Sequence, residues 1–334
     1  MLPFVCMSDS LQYPLVSIVT PTYNQSAFLR ETIESVLAQD YPYIEHIVID
    51  DGSTDDTPRV LSEYTGKVDW ERQPNMGQTP TINKGWQRSK GEIVTWLNSD
   101  DTLLPSSVGT AVEYLQRRPE VGIVFGDTLF TEPSGAPIER SKAREDFDYT
   151  RFVVECENPI AQPSAFIRRT VVDDVGLLDP HYYYFMDWDY WLRAGARHTI
   201  QYTPELFSTY RLHPESKTVA QAAKAAPELE GMYDKYFKLD SVPDEIRKRK
   251  NRATANMYFT SGGYYVKGGD KKGAARAGLK ALRVYPGTLL DSGMLHKLLY
   301  CLSGERPVYQ RSREFYRRAH TVFESKDQTR RWSC

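Results

Sequence analysis

The segment His46-Ile47-Val48-Ile49-Asp50-Asp51-Gly52-Ser53 is an apolar run that ends in two acids and a glycine. A short run of β-branched residues followed by turn-forming residues is typical of a buried strand and the turn after it. The same pattern occurs at Ile93–Leu97, which is followed by Asn98-Ser99-Asp100-Asp101. It occurs a third time at Val16–Thr20, which is followed by Pro21-Thr22-Tyr23-Asn24.

Helical spacing separates these predicted strands. Residues Ala27–Gln39 place their apolar side chains on one face, and Val121–Phe125 is a further predicted strand. Strands and helices in alternation are the signature of a mostly parallel sheet with helices on its faces. We therefore predict an α/β fold with a mostly parallel mixed sheet flanked by helices, followed by a small C-terminal helical region.

The polar residues that follow the strands are expected at one edge of this sheet. Ligands of open α/β sheets bind beyond the carboxyl ends of the strands. The side chains predicted to converge there are Asn24, Asp50, Asp51, Asp100 and Asp101.

Adjacent carboxylates such as Asp100 and Asp101 repel each other unless a positive charge lies near them. Mg²⁺ or Mn²⁺ would supply that charge, because hard cations bind carboxylate and phosphate oxygens together. A carboxylate at a strand end, such as Asp51, also accepts a hydrogen bond from a ring N–H. Each pattern has a structural alternative: an acidic turn that caps a helix near Pro105, or an Asx-turn after Asp50.

The composition of the 334-residue chain, 40% hydrophobic, is that of a globular protein with a sizeable core. The cysteines at 6, 156, 301 and 334 form no Cys-x-x-Cys pair, which argues against a zinc or redox motif and favours a reducing compartment. There is no run of about 18 apolar residues, so we predict no transmembrane helix. Residues 1–13 are interpreted as a flexible tail and not as a signal peptide. We therefore expect a cytoplasmic protein.

The charge of the chain is unevenly distributed. Residues 241–334 carry 20 Lys and Arg against 8 Asp and Glu, a net charge of about +12. We predict a main domain at 14–240 and a basic helical region at 241–334, whose short antiparallel helices break at Gly262-Gly263. Two interpretations stay open: peripheral contact with anionic lipid at the inner membrane face or with an anionic acceptor, and a solvated helical surface. The first 240 residues lack the interleaved basic and aromatic residues of a nucleic-acid surface, so no nucleic-acid partner is expected.

The order and spacing of the motifs resemble those of the family 2 glycosyltransferases, which have the fold called GT-A. The resemblance rests on Val16–Asn24, Ile47–Asp55, Asn75–Gln78, Asn83–Gly85 and Lys90–Asp101. With the later segments it covers residues 15–215, roughly 60% of the chain. Each motif alone is common, but the set in this order is specific.

The resemblance implies a nucleotide pocket in which Asp51 contacts the nucleobase. The other residues of this pocket would be Thr20, Pro21, Tyr23, Asn24, Asn75, Gly77, Gln78, Asn83, Lys84 and Asp100. A uridine diphosphate sugar is the favoured donor, although uracil, guanine and thymine all present a ring N–H to a carboxylate.

The resemblance also implies a bound Mn²⁺ or Mg²⁺. Asp101 would hold this metal together with His213, while Arg211 and Lys217 would face the diphosphate. The motif here is Asn-Ser-Asp-Asp and not a strict Asp-x-Asp, so either Asp100 or Asp101 is a candidate for the main contact. For the histidine, a satisfied surface or core residue is the alternative.

The segment Tyr184–Arg193 resembles the part of the family that carries the catalytic base, and Asp187 is the match. An inverting displacement needs a carboxylate that takes the proton of the attacking hydroxyl. Met186 stands where the family often has Glu, and Asp189 would partly replace that acid. The alternative is a solvated helix start whose Trp191 packs inward. The acceptor side would be formed by Gln162, Trp188 and Asp189.

These residues together predict a metal-dependent inverting glycosyltransferase. It would move a sugar from a nucleotide-diphosphate sugar to a hydroxyl of a glycan or of a lipid-linked acceptor. Two alternatives stay open. One is a polyprenyl-phosphate sugar synthase, whose acceptor is already an anion. The other is a non-catalytic module that binds a nucleotide or a glycan.

Overall fold

The computed structural model describes residues 13–141, 147–213 and 222–304. Its first half alternates strands and helices in the predicted order. The elements are β1 (Val16–Thr22), α1 (Leu29–Leu37), β2 (Ile44–Asp50), α2 (Thr57–Ser62), β3 (Asp69–Arg72), α3 (Gln78–Arg88), β4 (Ile93–Trp96), β5 (Thr102–Leu103), α4 (Ser107–Arg117) and β6 (Val121–Thr131). Strands β1, β2, β4 and β6 lie at the four apolar runs of the sequence, and β4 ends one residue before Leu97.

In the second half of the chain three more strands join the sheet, and helices follow them. Its elements are β7 (Pro137–Arg140), α5 (Tyr149–Glu155), β8 (Ala165–Arg168), α6 (Arg169–Val175), α7 (Met186–Gly195), β9 (Thr199–Arg211), α8 (Ala222–Tyr236), α9 (Asp244–Lys248), α10 (Lys250–Lys267), α11 (Lys271–Val284) and α12 (Ser292–Ser303). Two 3₁₀ turns lie at Gln162–Ser164 and Pro286–Leu289.

The strands of the described residues form one nine-stranded sheet in the order β3-β2-β1-β4-β8-β6-β9-β5, with β7 paired to β6. Strands β3, β2, β1 and β4 are parallel. Strand β8 is antiparallel to both β4 and β6, and β6 is parallel to β9. The predicted mixed α/β sheet is therefore confirmed, and the carboxyl ends of β2, β1 and β4 lie side by side.

The core has two main layers because helices cover both faces of the sheet. Successive side chains of a strand point to opposite faces, and β1 follows this rule. Val19 joins Trp86 of α3 and Trp191 of α7 in the larger hydrophobic cluster. Ile18 joins Leu115 of α4 in the cluster on the other face. Burial on both faces explains why the strands are apolar runs and not alternating sequences.

The C-terminal helices extend this core. Tyr233 of α8 and Met257 of α10 belong to the same cluster as Trp191. The predicted helical character is confirmed up to residue 304, and residues 305–334 lie outside the described part. Position 240 falls between α8 and α9, and the domain boundary placed there stays a prediction. No helix in the described ranges has the length and apolar composition needed to span a bilayer.

The predicted helix break at Gly262-Gly263 is wrong. Helix α10 runs without interruption from Lys250 to Lys267. A Cβ atom at Gly262 would collide with the Sγ atom of Cys301 on α12. The glycine therefore allows two helices to approach closely and does not form a turn.

Candidate active site

The acidic turn after β4 holds two carboxylates in different surroundings. Asp101 is 1% exposed. Its Oδ1 accepts the backbone N–H of Arg211 at 3.0 Å, and its Oδ2 accepts the side-chain amide of Asn98 at 3.3 Å. Burial, together with the charge of Asp100, raises the pKa of Asp101 well above its ordinary value. Asp101 therefore ties the turn to the end of β9.

Asp100 makes its contact with the segment after β9. Its Oδ2 lies 2.9 Å from Nε2 of His213, and its side chain is 21% exposed. The imidazole of His213 lies against Phe28, with ring centroids 5.3 Å apart. A carboxylate oxygen and an imidazole nitrogen, both ligands for divalent cations, thus meet beside the sheet edge.

The chemistry of this pair fits only one kind of metal site. The described residues contain no group of three or more His, Cys, Asp or Glu side chains placed to hold a metal ion. Mg²⁺ is usually held by one or two carboxylates, while substrate phosphates and water complete its coordination. Asp100 and His213 therefore suit a cation that binds together with a diphosphate, and not a preformed all-protein centre.

Arg211 has its side chain inside the protein and not on a diphosphate surface. Its Nε donates to the carbonyl of Asp100 at 3.0 Å, and its Nη1 donates to the carbonyl of Pro133 at 2.8 Å. Its Nη2 pairs with Glu31, and the guanidinium lies 4.8 Å from the ring centroid of Phe28. These contacts hold the backbone of the acidic turn, which differs from the predicted diphosphate role.

Asp51 follows β2 and is enclosed by the loop before α3. Its Oδ1 accepts from Nε2 of Gln73 and from the backbone N–H of Met76, both at 2.8 Å. Its Oδ2 accepts the N–H of Gly77 at 2.8 Å, where the φ of +91° favours glycine. Asn75 supports the same N–H through its Oδ1 at 3.2 Å. A carboxylate has about four lone-pair sites, so Asp51 has capacity for one further donor.

Thr20 and Pro21 lie within β1 and are buried. The hydroxyl of Thr20 is 3.0 Å from Nε2 of His46. Burial lowers the pKa of His46 to about 3, so this imidazole is neutral at physiological pH. The side chain of Thr20 therefore lies against His46 in the interior, and the place of Thr20 and Pro21 in a nucleotide pocket stays a prediction.

The turn after β1 presents one aromatic side chain at the surface. Asn24 has a φ of 53°, and its Oδ1 accepts the backbone N–H groups of Thr54 and Asp55 at 2.7 and 3.3 Å. It thereby joins the turns that follow β1 and β2. Tyr23, in contrast, is 46% exposed, and an exposed ring at this edge can stack on a nucleobase.

A chain of amide side chains crosses the turn after β4. Gln78 donates to Oδ1 of Asn98 at 2.7 Å, and Asn98 donates to Oε1 of Gln162 at 3.1 Å. Gln162 donates in turn to the carbonyl of Trp96 at 2.7 Å. These bonds hold Gln78 and Gln162, predicted on the nucleotide and acceptor sides, on either side of one turn.

Asp187 is the second residue of α7 and is partly exposed. The residue before it, Met186, accepts the hydroxyl of Thr79 on its Sδ at 2.9 Å. Thr79 follows Gln78 at the start of α3. Helix α7 therefore begins beside the start of α3, which brings the predicted base to the edge that holds the acidic turn.

The other two predicted residues of α7 lie in the interior, and their acceptor role stays a prediction. Asp189 is 3% exposed and accepts from Nε of Arg193 at 2.8 Å. Burial raises the pKa of Asp189, although Arg193 opposes this effect. Trp188 is 6% exposed, and its ring packs on Phe185 with centroids 5.6 Å apart. Asp189 therefore forms an internal ion pair with Arg193.

Asn83 and Lys84 of α3 contact residues that lie next to the candidate site. Asn83 exchanges two hydrogen bonds with the backbone of Leu178, at 2.8 and 3.0 Å, and so holds the segment that leads to α7. Lys84 lies 2.9 Å from Oε1 of Gln73 and 2.8 Å from Glu71. Lys84 is therefore linked to Asp51 through Gln73, and a nucleotide-binding role of Asn83 and Lys84 stays a prediction.

The sequence interpretation missed two groups that organise this region. One comprises the amides of Gln73 and Asn98, whose roles depend on partners far along the chain. The other is Glu228 of α8, whose Oε1 accepts the backbone N–H groups of Tyr184 and Phe185. A single glutamate in a helical pattern gives no local signal of such a contact. Lys217, predicted on the diphosphate side, lies outside the described residues.

A family model described as Glycosyl transferase family 2 matches residues 17–176. The uncharacterized glycosyltransferase RP339 of Rickettsia prowazekii is 28% identical over 239 residues, which cover 70% of this chain and 74% of that protein. A GalNAc(5)-diNAcBac-PP-undecaprenol beta-1,3-glucosyltransferase of Campylobacter jejuni is 25% identical over 272 residues, which cover 76% of this chain and 83% of that protein.

Two solved structures share the fold over most of their length. The structure of S. aureus TarS 1-349 in complex with UDP-GlcNAc has a TM-score of 0.66 at 15% identity, covering 93% of this chain and 92% of that one. Mannosyltransferase PcManGT from Pyrobaculum calidifontis, in complex with GDP-Man and Mn²⁺, has a TM-score of 0.57 at 18% identity, covering 88% and 86%. These likenesses concern the fold and confirm the predicted GT-A-like architecture.

Proposed function

The chain belongs to the family 2 glycosyltransferases, and we propose on this premise a metal-dependent transfer with inversion at the anomeric carbon. The donor would be a nucleotide-diphosphate sugar and the acceptor a hydroxyl group. The contact between Asp100 and His213 supports this proposal most directly. It joins the turn after β4 to the segment after β9 at the edge where α7 also begins.

The metal-binding role belongs to Asp100 and His213 in this proposal. Asp101 is less suited, because both of its carboxylate oxygens already accept hydrogen bonds within the protein. Asp101 and Arg211 are then positioning residues that fix the turn. A divalent cation bound to the first pair would supply positive charge opposite the leaving diphosphate.

The nucleotide would lie between the turns that follow β1 and β2. Asp51 accepts the ring N–H of the base, and Tyr23 supplies an exposed aromatic face. A uridine diphosphate sugar is the favoured donor, in line with the TarS complex, which contains UDP-GlcNAc. Guanine offers the same ring N–H, so a guanosine diphosphate sugar is the second candidate.

Asp187 would act as the general base. Its carboxylate accepts the proton of the acceptor hydroxyl while that oxygen attacks the anomeric carbon from the face opposite the diphosphate. The bond between the anomeric carbon and the diphosphate oxygen breaks, and its electron pair leaves on that oxygen. One displacement inverts the configuration, and no covalent intermediate with the protein forms.

The acceptor is proposed to be a glycan or a lipid-linked glycan. The Campylobacter relative is named for an undecaprenol-linked acceptor. A Bacillus subtilis protein named "Putative teichuronic acid biosynthesis glycosyltransferase TuaG" is 34% identical over 133 residues, which cover 38% of this chain and 52% of that protein. The excess of basic residues in 241–334 suits peripheral contact with an anionic lipid surface at the inner face of the membrane.

The first prediction concerns the metal and the nucleotide. Calorimetric titration with UDP, GDP, dTDP and CMP, each with and without Mn²⁺, should show one nucleotide that binds only with metal. We expect Asp100→Asn to weaken this binding by about tenfold or more, because it removes a charged ligand. Asp56→Asn is the matched control, since Asp56 is exposed and, within the described part of the chain, forms its ion pair with the neighbouring Arg59.

The outcomes separate the candidate functions. Binding that does not depend on Mn²⁺ or on Asp100 would contradict the metal site. Metal-dependent binding without turnover of any sugar nucleotide would favour the non-catalytic module. Failure of all four nucleotides to bind would contradict the nucleotide pocket itself.

A further inference from the structure

Helix α8 supplies a carboxylate to the segment that leads into α7. The Oε1 of Glu228 accepts the backbone N–H of Tyr184 at 2.7 Å and that of Phe185 at 2.8 Å. Two donors on one oxygen form a bifurcated clamp, and bonds to an ionised acceptor are stronger than neutral ones. This clamp comes from a helix outside the part of the chain that the family model matches.

The clamp binds the two backbone N–H groups that directly precede α7. The first N–H groups of a helix have no partner within that helix, and the N-cap Phe185 supplies no side-chain cap. A negative charge at this end also interacts favourably with the helix dipole. Asp187, the proposed base, is only two residues beyond Phe185, so the backbone that carries it is held by Glu228.

The residue that precedes the proposed base is not an acid. Met186 is neutral, and its Sδ accepts the hydroxyl of Thr79. Asp189 is paired with Arg193 in the interior. Two carboxylates therefore bind the backbone at this helix start: Oδ1 of Asp187 accepts the N–H of Trp188 at 2.8 Å, and Oε1 of Glu228 accepts the two N–H groups before the helix.

Helix α8 also contacts the first residues of the segment 179–185. Lys235 of α8 forms an ion pair with Asp179, and its Nζ lies 5.6 Å from the ring centroid of Tyr182. Asp179 in turn accepts the backbone N–H of His181 at 3.0 Å. Helix α8 thus fixes residues 179–185 at two points, one of which adjoins the proposed base.

We propose that Glu228 is a positioning residue for Asp187, and that α8 acts as a brace that sets the base against the acceptor hydroxyl. This inference rests on the proposed function, because it assigns Glu228 a role through the base. Loss of the brace would let the start of α7 shift, and a displacement of about 1 Å at a reacting group can lower a rate by about a hundredfold. Nucleotide binding, which depends on the turns after β1, β2 and β4, would be unaffected.

The test compares three variants of the full chain. Glu228→Ala removes the acceptor, whereas Glu228→Gln keeps an oxygen that can accept both N–H groups and loses only the charge. Glu230→Gln is the matched control, because Glu230 lies on the same helix and pairs with Lys280 instead.

Hydrogen–deuterium exchange of the peptide covering residues 182–190 is measured without substrate. Release of UDP from UDP-GlcNAc with Mn²⁺ and water as acceptor gives kcat and the donor KM, and GDP-mannose is used in parallel.

The inference predicts exchange of the Tyr184 and Phe185 amides at least about tenfold faster in Glu228→Ala. It also predicts a kcat about 10- to 100-fold lower with a donor KM within about twofold of wild type. Glu228→Gln should recover most of both losses, and Glu230→Gln should match wild type. This split between kcat and KM, together with recovery by Gln, is not expected of a general loss of folding.

Two results would overturn the inference. Unchanged exchange in Glu228→Ala would show that the clamp does not hold the helix start. Faster exchange with kcat within twofold of wild type would show that the clamp does not position the base. Absence of turnover in the wild-type protein with either donor would instead count against the proposed function, and the exchange experiment would still decide whether the clamp exists.

Discussion

Single residues in this site are defined by their hydrogen-bond partners more than by their place in a motif. Asp100 and Asp101 are neighbours in the sequence, yet the side chain of Asp100 is 21% exposed and Asp101 is 1% exposed. The buried acid accepts two hydrogen bonds within the protein, whereas the other meets His213. Only the second arrangement leaves a carboxylate that a bound cation can reach.

The buried pair of Thr20 and His46 links stability to pH. Burial lowers the pKa of His46 to about 3, whereas an unfolded histidine titrates near 6.5. Between these values the unfolded chain binds a proton that the folded chain does not, so stability falls as the pH decreases. We expect the free energy of unfolding to fall by about 1.6 kcal/mol more between pH 6.5 and 5 in wild type than in His46→Asn.

Urea denaturation at the two pH values measures this difference. His296→Gln is the control, because the exposed His296 lies on α12, and it should keep the wild-type dependence on pH. Equal dependence in wild type and His46→Asn would show that His46 is not the titrating group.

At the scale of helices and strands, the hydrophobic pattern of the sequence predicted where the buried strands lie. The apolar runs at Val16–Thr20 and His46–Ile49 lie within β1 and β2, because strands buried on both faces must be apolar. The function of Gly262 depends on Cys301, which reaches it from a different helix. Glycine in a sequence indicates either a turn or a close approach, and only packing decides between them.

Substitution of Gly262 tests the close packing of α10 against α12. Gly262→Ala should lower the free energy of unfolding by about 1–3 kcal/mol, because its Cβ would collide with Cys301. Gly231→Ala is the matched control within α8, where a Cβ would meet no atom within 4 Å. That variant should be up to about 1 kcal/mol more stable than wild type, since alanine is the better helix former. Chemical denaturation that ranks the two variants in the opposite order would contradict the packing described here.

The site as a whole is assembled from distant parts of the chain. The convergence of its acids could be predicted because parallel strands end at one edge, which places Asp51 and Asp100 on the turns after the two strands that flank β1. The burial of Trp188 and the internal ion pair of Asp189 could not be predicted, because tertiary packing determines which face of α7 is covered. The contact of Glu228 with the start of α7 joins residues of separate helices and has no local signature.

The measurement that tests this account most directly is turnover by Asp187→Asn. Wild type, Asp187→Asn and the exposed control Asp173→Asn would be compared for nucleoside diphosphate release from UDP-GlcNAc and GDP-mannose with Mn²⁺. We expect a kcat about 10²- to 10⁴-fold lower in Asp187→Asn, with nucleotide affinity within about twofold of wild type. Turnover by Asp187→Asn close to that of wild type would contradict the assignment of Asp187 as the base.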